Sequence, residues 1–364
     1  MIRVLFVRAP PEKPRMGGPS NVTYYLSMHL PLKNVEISFL HRFWINSEAI
    51  KNLVSCLKNV IRKQFDIIHI NNTVKINDLS VIELVKLAKI SKTPVIVNVH
   101  GIISHILYRL YSGKQWSHKV LEEPLALSGI RFLCNEAVKV IVNSTYMMKA
   151  VEVYYKTDPQ KIVVIPNGVD ISEFRNAKPI KTLDGDPSVL YVGRLSWEKG
   201  VDVLLHAIKL TSNELPRIKL HIVGDGPLIG YLRQLVDKLD IRNNVKFWSY
   251  IKHRNVVNMY ISADICVVPS LFESFGLTVL ESMAAGKPLI ASAVGGIVDI
   301  VRNGENGLLV RPNNPQALSK AILKISFDGN LRIKLIKNAL NTALKYSWDK
   351  IAEKYVALYE NLII

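Results

Sequence analysis

The sequence predicts an α/β chain built as two doubly wound halves. Three observations predict it: short β-branched runs alternate with longer helical patterns, the runs fall into two sets of about six, and a stretch without periodicity separates the sets. Strand–helix alternation means parallel sheets covered on both faces. A single barrel would alternate too, and the break between the sets argues against it.

In the first half, Ile2–Arg8, Val35–His41, Asp66–Ile70, Pro94–His100, Val138–Asn143 and Ile162–Ile165 read as buried strands. Helical patterns lie at 77–91 and 144–155, and another helix should follow Pro19. Residues 166–187 are rich in Pro, Gly, Asn and Asp and read as an interdomain linker. Strands resume at Ser188–Gly193, Lys219–Val223, Val245–Trp248, Ile265–Val268, Pro288–Ala291 and Leu308–Val310. Helical patterns at 199–212, 227–239, 253–261, 278–285 and 314–326 separate them, and a helical segment, 348–362, ends the chain.

Length and composition agree with that division. A chain of 364 residues, 49% hydrophobic, fits two globular domains of roughly 150–200 residues each. The start, MIRVLFVRAPPEKP, is apolar for one strand and then polar and Pro-rich, unlike a secretory signal. No apolar run reaches the roughly 18 residues a spanning helix needs. Cys56, Cys134 and Cys266 are odd in number and widely spaced, which suggests neither disulfides nor a metal knuckle. A cytoplasmic location is expected. The net charge of +17 is spread, with a lean to the first half, and favours anionic partners. No block of like charges marks a nucleic-acid tail, so no nucleic-acid partner is expected.

In open α/β sheets ligands bind beyond the carboxyl ends of strands, so the chemistry is sought there. Gly17 and Gly18 follow the first strand and precede a helix, where paired glycines let a ligand approach the backbone; a tight turn is the equal alternative. Arg194 and Lys199 fall on the loop after the strand that ends at Gly193, where two cations suit a diphosphate. Glu273 lies in the loop after the strand ending near Pro269, and Glu281 about one turn inside the next helix. Gly276, Leu277 and Thr278 then open that helix, with amides free for a phosphate or a sugar hydroxyl, while the carboxylates suit paired hydroxyls. Asp184-Gly185-Asp186 is the one pattern that could suggest a metal; it precedes a strand and reads as a turn, so no metal is expected.

Together, Gly193-Arg194…Lys199-Gly200, Val223-Gly224-Asp225-Gly226-Pro227 and Pro269-Ser270…Glu273-Ser274-Phe275-Gly276…Glu281 through Pro288 resemble the family 4 (group 1) retaining glycosyltransferases of the GT-B fold. Ile165 through Asp170 and Asn303 through Gly307 match the same family, and in the first half Gly17-Gly18, Val99-His100-Gly101 and Val142-Asn143-Ser144 do. The resemblance implies two Rossmann-like domains facing each other across a cleft: an acceptor-side domain, 1–168, joined by the terminal helix 346–364, and a nucleotide-sugar domain, 169–345. It implies transfer of a hexosyl group from a UDP-, GDP- or ADP-sugar to an acceptor hydroxyl, with retention and without metal or resident cofactor. It assigns the diphosphate to Arg194 and Lys199, beside Gly193 and Gly224, and the ribose to Glu281. The donor sugar falls to Glu273 and the backbone of Phe275, Gly276 and Leu277, with Thr278 among the donor-binding residues, the base to the backbone near Tyr250 and Ile251, and the transferred sugar also to His100. Glu273 is read as positioning the sugar and not as the nucleophile of a retaining hydrolase.

The acceptor is open: a glycan, a lipid-linked sugar or a small molecule. Residues 48–63 place Ile50, Leu53, Val54, Leu57 and Ile61 on one helical face, and 105–119 mix His105, Tyr108, Arg109, Tyr111, Lys114, Trp116 and Lys119. Such stretches either face the core with solvated basic edges, the preferred reading, or lie on an anionic inner membrane face. An epimerase, a phosphorylase or a non-catalytic nucleotide-sugar-binding subunit are the alternatives. Acceptor-dependent release of nucleoside diphosphate separates the transferase from them.

Overall fold

A computed structural model describes residues 1–7, 19–40, 55, 58–71, 79–101, 122–180, 183–248, 251 and 253–363. The chain divides into two compact units, Met1–Pro166 with Trp348–Ile364 and Asn167–Ser347.

The first unit holds β1 (Ile2–Val7), β2 (Val35–Leu40), β3 (Ile67–Asn71), β4 (Val95–Val99), β5 (Lys139–Val142) and β6 (Ile162–Val164) in one sheet, ordered β2-β1-β3-β4-β5-β6. Every pairing is parallel. All five residues of both β3 and β4 are buried, including His69, Asn71 and Asn98, as strands covered on both faces must be. Helices α1 (Pro19–His29), α2 (Leu79–Ser91), α3 (Glu122–Glu136) and α4 (Thr145–Tyr155) supply the cover. The Ser144 hydroxyl caps α4, accepting from the Met147 amide at 3.1 Å.

The second unit holds β7 (Ser188–Val192), β8 (Lys219–Val223), β9 (Val245–Trp248), β10 (Ile265–Val268), β11 (Leu289–Ser292) and β12 (Leu308–Val310). Its order is β12-β11-β10-β7-β8-β9, again wholly parallel. The chain winds outward one way from β7 and the other way from β10. The carboxyl ends of these two neighbours flank the topological switch point, where such sheets bind ligands. Its helices are α5 (Ile171–Arg175), α6 (Val201–Ser212), α7 (Ile229–Lys238), α8 (His253–Ser262), α9 (Leu277–Ala284), α10 (Ile297–Ile300), α11 (Pro315–Phe327) and α12 (Gly329–Lys345). In α6, Val201, Leu204, Leu205 and Ile208 repeat at helical spacing and all lie in the core. α11 starts where Asn314 caps the Ala317 amide at 2.8 Å and Pro315 fills the first turn.

The terminal helix α13 (Trp348–Ile363) belongs to the first unit. Ile351, Ala352, Tyr355 and Tyr359 form its buried stripe, and Trp348 stacks on Tyr25 at 5.1 Å.

Two expectations change, and one helix is new. Residues 166–187 are not a featureless linker: Asp170 caps α5 by accepting from the Ser172 amide at 2.9 Å, Phe174 is buried, and Val169 bridges to Ser347. A cap and one anchored aromatic outweigh the loop-like composition. The new helix is α12, along which Leu335, Ala339 and Ala343 are buried; its start is set by Asp328, which accepts from the Leu331 amide at 2.8 Å. In 48–63, Val60 is fully buried while Ile61, placed by the pattern on the apolar face, is exposed. Most of that stretch and all of 105–119 lie outside the described residues. No helix among the described residues is long and apolar enough to cross a membrane.

Candidate functional site

β7 ends at Val192, and the chain turns through Gly193 and Arg194 into a single tight turn, Trp197–Lys199, before α6. β10 ends at Val268 and runs through a loop to α9. Backbone bonds tie these loops together: the Leu271 and Phe272 amides both donate to the Glu198 carbonyl, at 2.8 and 3.2 Å. Phe272 and Phe275 are buried and anchor the second loop from within. The Glu273 carbonyl accepts from the Gly296 amide at 3.0 Å. Gly295 has φ +51°, and a Cβ there would run into the same Glu273 carbonyl.

This clamp brings two of the expected residues into contact. Lys199 Nζ lies 2.6 Å from Glu273 Oε2, and the side chains are 25% and 14% exposed. Arg194 is exposed, and its backbone is fixed by Tyr191, whose hydroxyl donates to the Arg194 carbonyl at 2.8 Å. Arg194 has no ion-pair partner among the described residues and is open to an anion. Gly224, at the end of β8 with φ +139°, packs so closely on Gly193 that any side chain would overlap the Gly193 carbonyl.

Gly276, at φ +104°, caps α9, and Leu277 and Thr278 open its first turn, where amides have no partner within the helix. Glu281 lies one turn further on. Its carboxylate accepts from the Tyr260 hydroxyl of α8 at 2.8 Å. Burial raises the Glu281 pKa, opposed by the Tyr260 hydrogen bond and the nearby His253. His253 pairs with Glu173 at 2.8 Å, and that hydrogen bond raises the imidazole pKa. Ile251 is half-buried, and Tyr250 lies outside the described residues.

Tyr260, His253, Glu173, Gly295 and Gly296 were missed in the sequence. Val294-Gly295-Gly296 after a buried strand was a visible signal, since paired glycines mark a close backbone approach. The others are common helix residues with no local signature.

In the first unit, Asn71 ends β3 opposite Asn98 of β4, while His100 and Asn143 directly follow the paired ends of β4 and β5, Val99 and Val142. The Asn71 amide nitrogen donates to Thr23, leaving its oxygen to accept from His100 Nε2. The Asn143 amide donates to the His100 carbonyl at 3.2 Å. Burial pushes the His100 pKa down to about 4, so the ring is neutral near pH 7. Gly17 and Gly18 lie outside the described residues.

The Asp184 and Asp186 carboxylates are both engaged by cations, Asp184 by Lys219 at 2.6 Å and Asp186 by Arg217. Among the described residues no three His, Cys, Asp or Glu side chains gather to hold a metal. Cys134 and Cys266 are free and buried.

The family described as Glycosyl transferases group 1 matches residues 172–342, and the one described as Glycosyltransferase Family 4 matches 34–173. An uncharacterized glycosyltransferase of Methanocaldococcus jannaschii is 32% identical over 251 residues, 66% of this chain and 64% of that protein. A D-inositol 3-phosphate glycosyltransferase of Corynebacterium urealyticum is 31% identical over 246 residues, 63% of this chain and 58% of that one. The chain thus spans less than two thirds of the length of these relatives. In fold it is similar to Anabaena HepE in complex with UDP and glucose, with TM-score 0.75 and 20% identity over 99% of this chain and 100% of that one. It is similar as well to a sucrose-phosphate synthase of Thermosynechococcus elongatus, with TM-score 0.76 and 22% identity over 100% and 99%. At that identity the likeness is one of fold, and the fold is GT-B.

Proposed function

Because residues 34–342 belong to the group 1, family 4 glycosyltransferases, we propose that this chain moves a hexosyl group from a nucleoside-diphosphate sugar to an acceptor hydroxyl, retaining the anomeric configuration and using no metal. The observation that carries this reading is the Lys199–Glu273 pair beside the open Arg194 at the switch point of the second unit.

Breaking a glycosyl–phosphate bond leaves positive charge on the sugar and negative charge on the departing diphosphate. Arg194 and Lys199 supply fixed cations for the leaving group, the role a metal takes elsewhere. Arg194 offers a planar fork and Lys199 a point charge. The Leu277 and Thr278 amides at the start of α9 face the same anion. Glu281 takes the ribose hydroxyls.

Glu273 does not suit nucleophilic attack. Its carboxylate is neutralised by an ammonium at 2.6 Å and is held as an acceptor for sugar hydroxyls. Retention then proceeds on one face of the sugar, the acceptor entering from the side on which the diphosphate departs. With donor bound, Lys199 bridges the diphosphate and Glu273, so the carboxylate stays paired while its other oxygen meets the sugar. His100 of the first unit is proposed to touch substrate as a neutral imidazole, a hydrogen-bonding partner and not an acid.

Uridine donors come first for testing, since HepE is seen with UDP. Polyol phosphates join glycans and lipid-linked sugars as acceptors to screen, since inositol 3-phosphate glycosyltransferases are among the relatives. The test is release of nucleoside diphosphate with and without acceptor, in EDTA. Acceptor-dependent release that survives EDTA supports the reading. Release without need of acceptor contradicts transfer, and loss in EDTA contradicts metal independence.

A further inference from the structure

Glu281 has one oxygen already engaged, by a residue that the reading of the donor site does not use. Tyr260 lies on α8, is 2% exposed, and places its hydroxyl 2.8 Å from Glu281 Oε2 on α9. Its ring meets Phe174 of α5 edge-on at 6.1 Å, so three helices fix the phenol. Burial and the Glu281 charge keep the phenol protonated, so toward the carboxylate it can only donate. His253, which also acts on the Glu281 carboxylate, is itself bonded to Glu173 at 2.8 Å.

A carboxylate on a helix surface turns about its last bond and offers either oxygen. One pinned by a buried phenol offers a single oxygen in a single orientation. We infer that Tyr260 is a positioning residue for nucleotide recognition: it holds Oε2 of Glu281 so that Oε1 faces the vicinal diol of the donor ribose. Tyr260 itself touches no substrate. The inference rests on the reading of the second unit as a nucleotide-sugar site and adds how its ribose selectivity is built. A pre-oriented acceptor gains affinity by removing an ordering cost that binding would otherwise bear.

The experiment is calorimetric titration of UDP, GDP and ADP, followed by the tightest of them against its 2′,3′-dideoxy form. Wild type, Tyr260→Phe, Glu281→Gln and the double variant are compared, with thermal midpoints for each. Wild type should bind the ribo form ~10-fold or more tighter than the dideoxy form, the loss expected when a buried acceptor goes unpaired. Tyr260→Phe should weaken the ribo form alone, reducing that ratio to about 3 or less, and the double variant should bind no worse than Glu281→Gln. Equal weakening of both nucleotides by Tyr260→Phe would show a purely structural tyrosine and overturn the inference. Additive losses in the double variant, at unchanged thermal midpoints, would overturn it as well. A wild type that binds nucleotide without ribose preference overturns the diol assignment and leaves the donor site standing. A wild type that binds no nucleotide overturns both.

Discussion

Lys199 and Glu273 share one charge-assisted hydrogen bond, and each is proposed to have a second partner in the donor complex. Lys199→Ala removes the cation from the leaving group and leaves Glu273 as a bare carboxylate close to the diphosphate. The expected result is a loss of about 10²–10³ in kcat, as for other preorganised charges, read by initial rates at saturating donor. Glu273→Gln keeps the hydrogen-bonding shape without the charge, so its loss should be smaller than that of Glu273→Ala. Glu281 carries a pH signature. Burial lifts its pKa above the ordinary carboxylate value, so as pH falls it protonates before an exposed glutamate would. A protonated Glu281 loses acceptor capacity for ribose hydroxyls. Nucleotide affinity should therefore hold at neutral pH and fall on mild acidification, and Glu281→Gln should flatten that profile in titrations from pH 7.5 to 5.

Elements set how these side chains meet, and here the sequence was unevenly readable. The strands were legible because parallel strands buried on both faces are nearly unbroken β-branched runs, as in Val95–Val99. The loops after β7 and β10 were legible through charge and glycine at strand ends. Their mutual clamp was not, because it runs through backbone atoms, the Glu198 carbonyl with the Leu271 amide, which any residue provides. Tyr260 was invisible for a related reason: a tyrosine in an amphipathic helix reads as core, and only the fold brings α8 against α9. The close packing of β7 and β8 ends gives a direct test. Gly224→Ala forces a side chain against the Gly193 carbonyl from a left-handed backbone, so it should displace the Arg194 loop. Weaker nucleotide binding and a lower thermal midpoint are expected together. In the first unit, α13 is held by buried tyrosines, with the Tyr359 hydroxyl 2.8 Å from His69 Nδ1. Tyr359→Ala should cost about 3–5 kcal/mol by denaturant unfolding, as for other large buried aromatics.

Across the whole molecule, charge and buried histidines set the response to solution conditions. A net charge of +17 attracts an anionic donor, so kcat/KM should fall as ionic strength rises. His69 and His100 are buried neutral, with pKa values pushed down by burial to about 3 and about 4. The unfolded chain takes up these protons first, near the ordinary histidine value. Stability is therefore lost as pH falls below ~6.5, by ~1.4 kcal/mol per pH unit for each ring until its folded pKa is reached. Urea unfolding at pH 7 and pH 5 should show that drop, and His100→Gln should show a smaller one. The central claim is that the second unit grips the diphosphate of a nucleotide sugar through Arg194 and Lys199. Titration of the preferred nucleoside diphosphate and its monophosphate into wild type and an Arg194→Ala/Lys199→Ala variant tests it most directly. The account predicts that wild type prefers the diphosphate and that the variant loses this preference while still binding the monophosphate. Equal preference for the diphosphate in both proteins would contradict it.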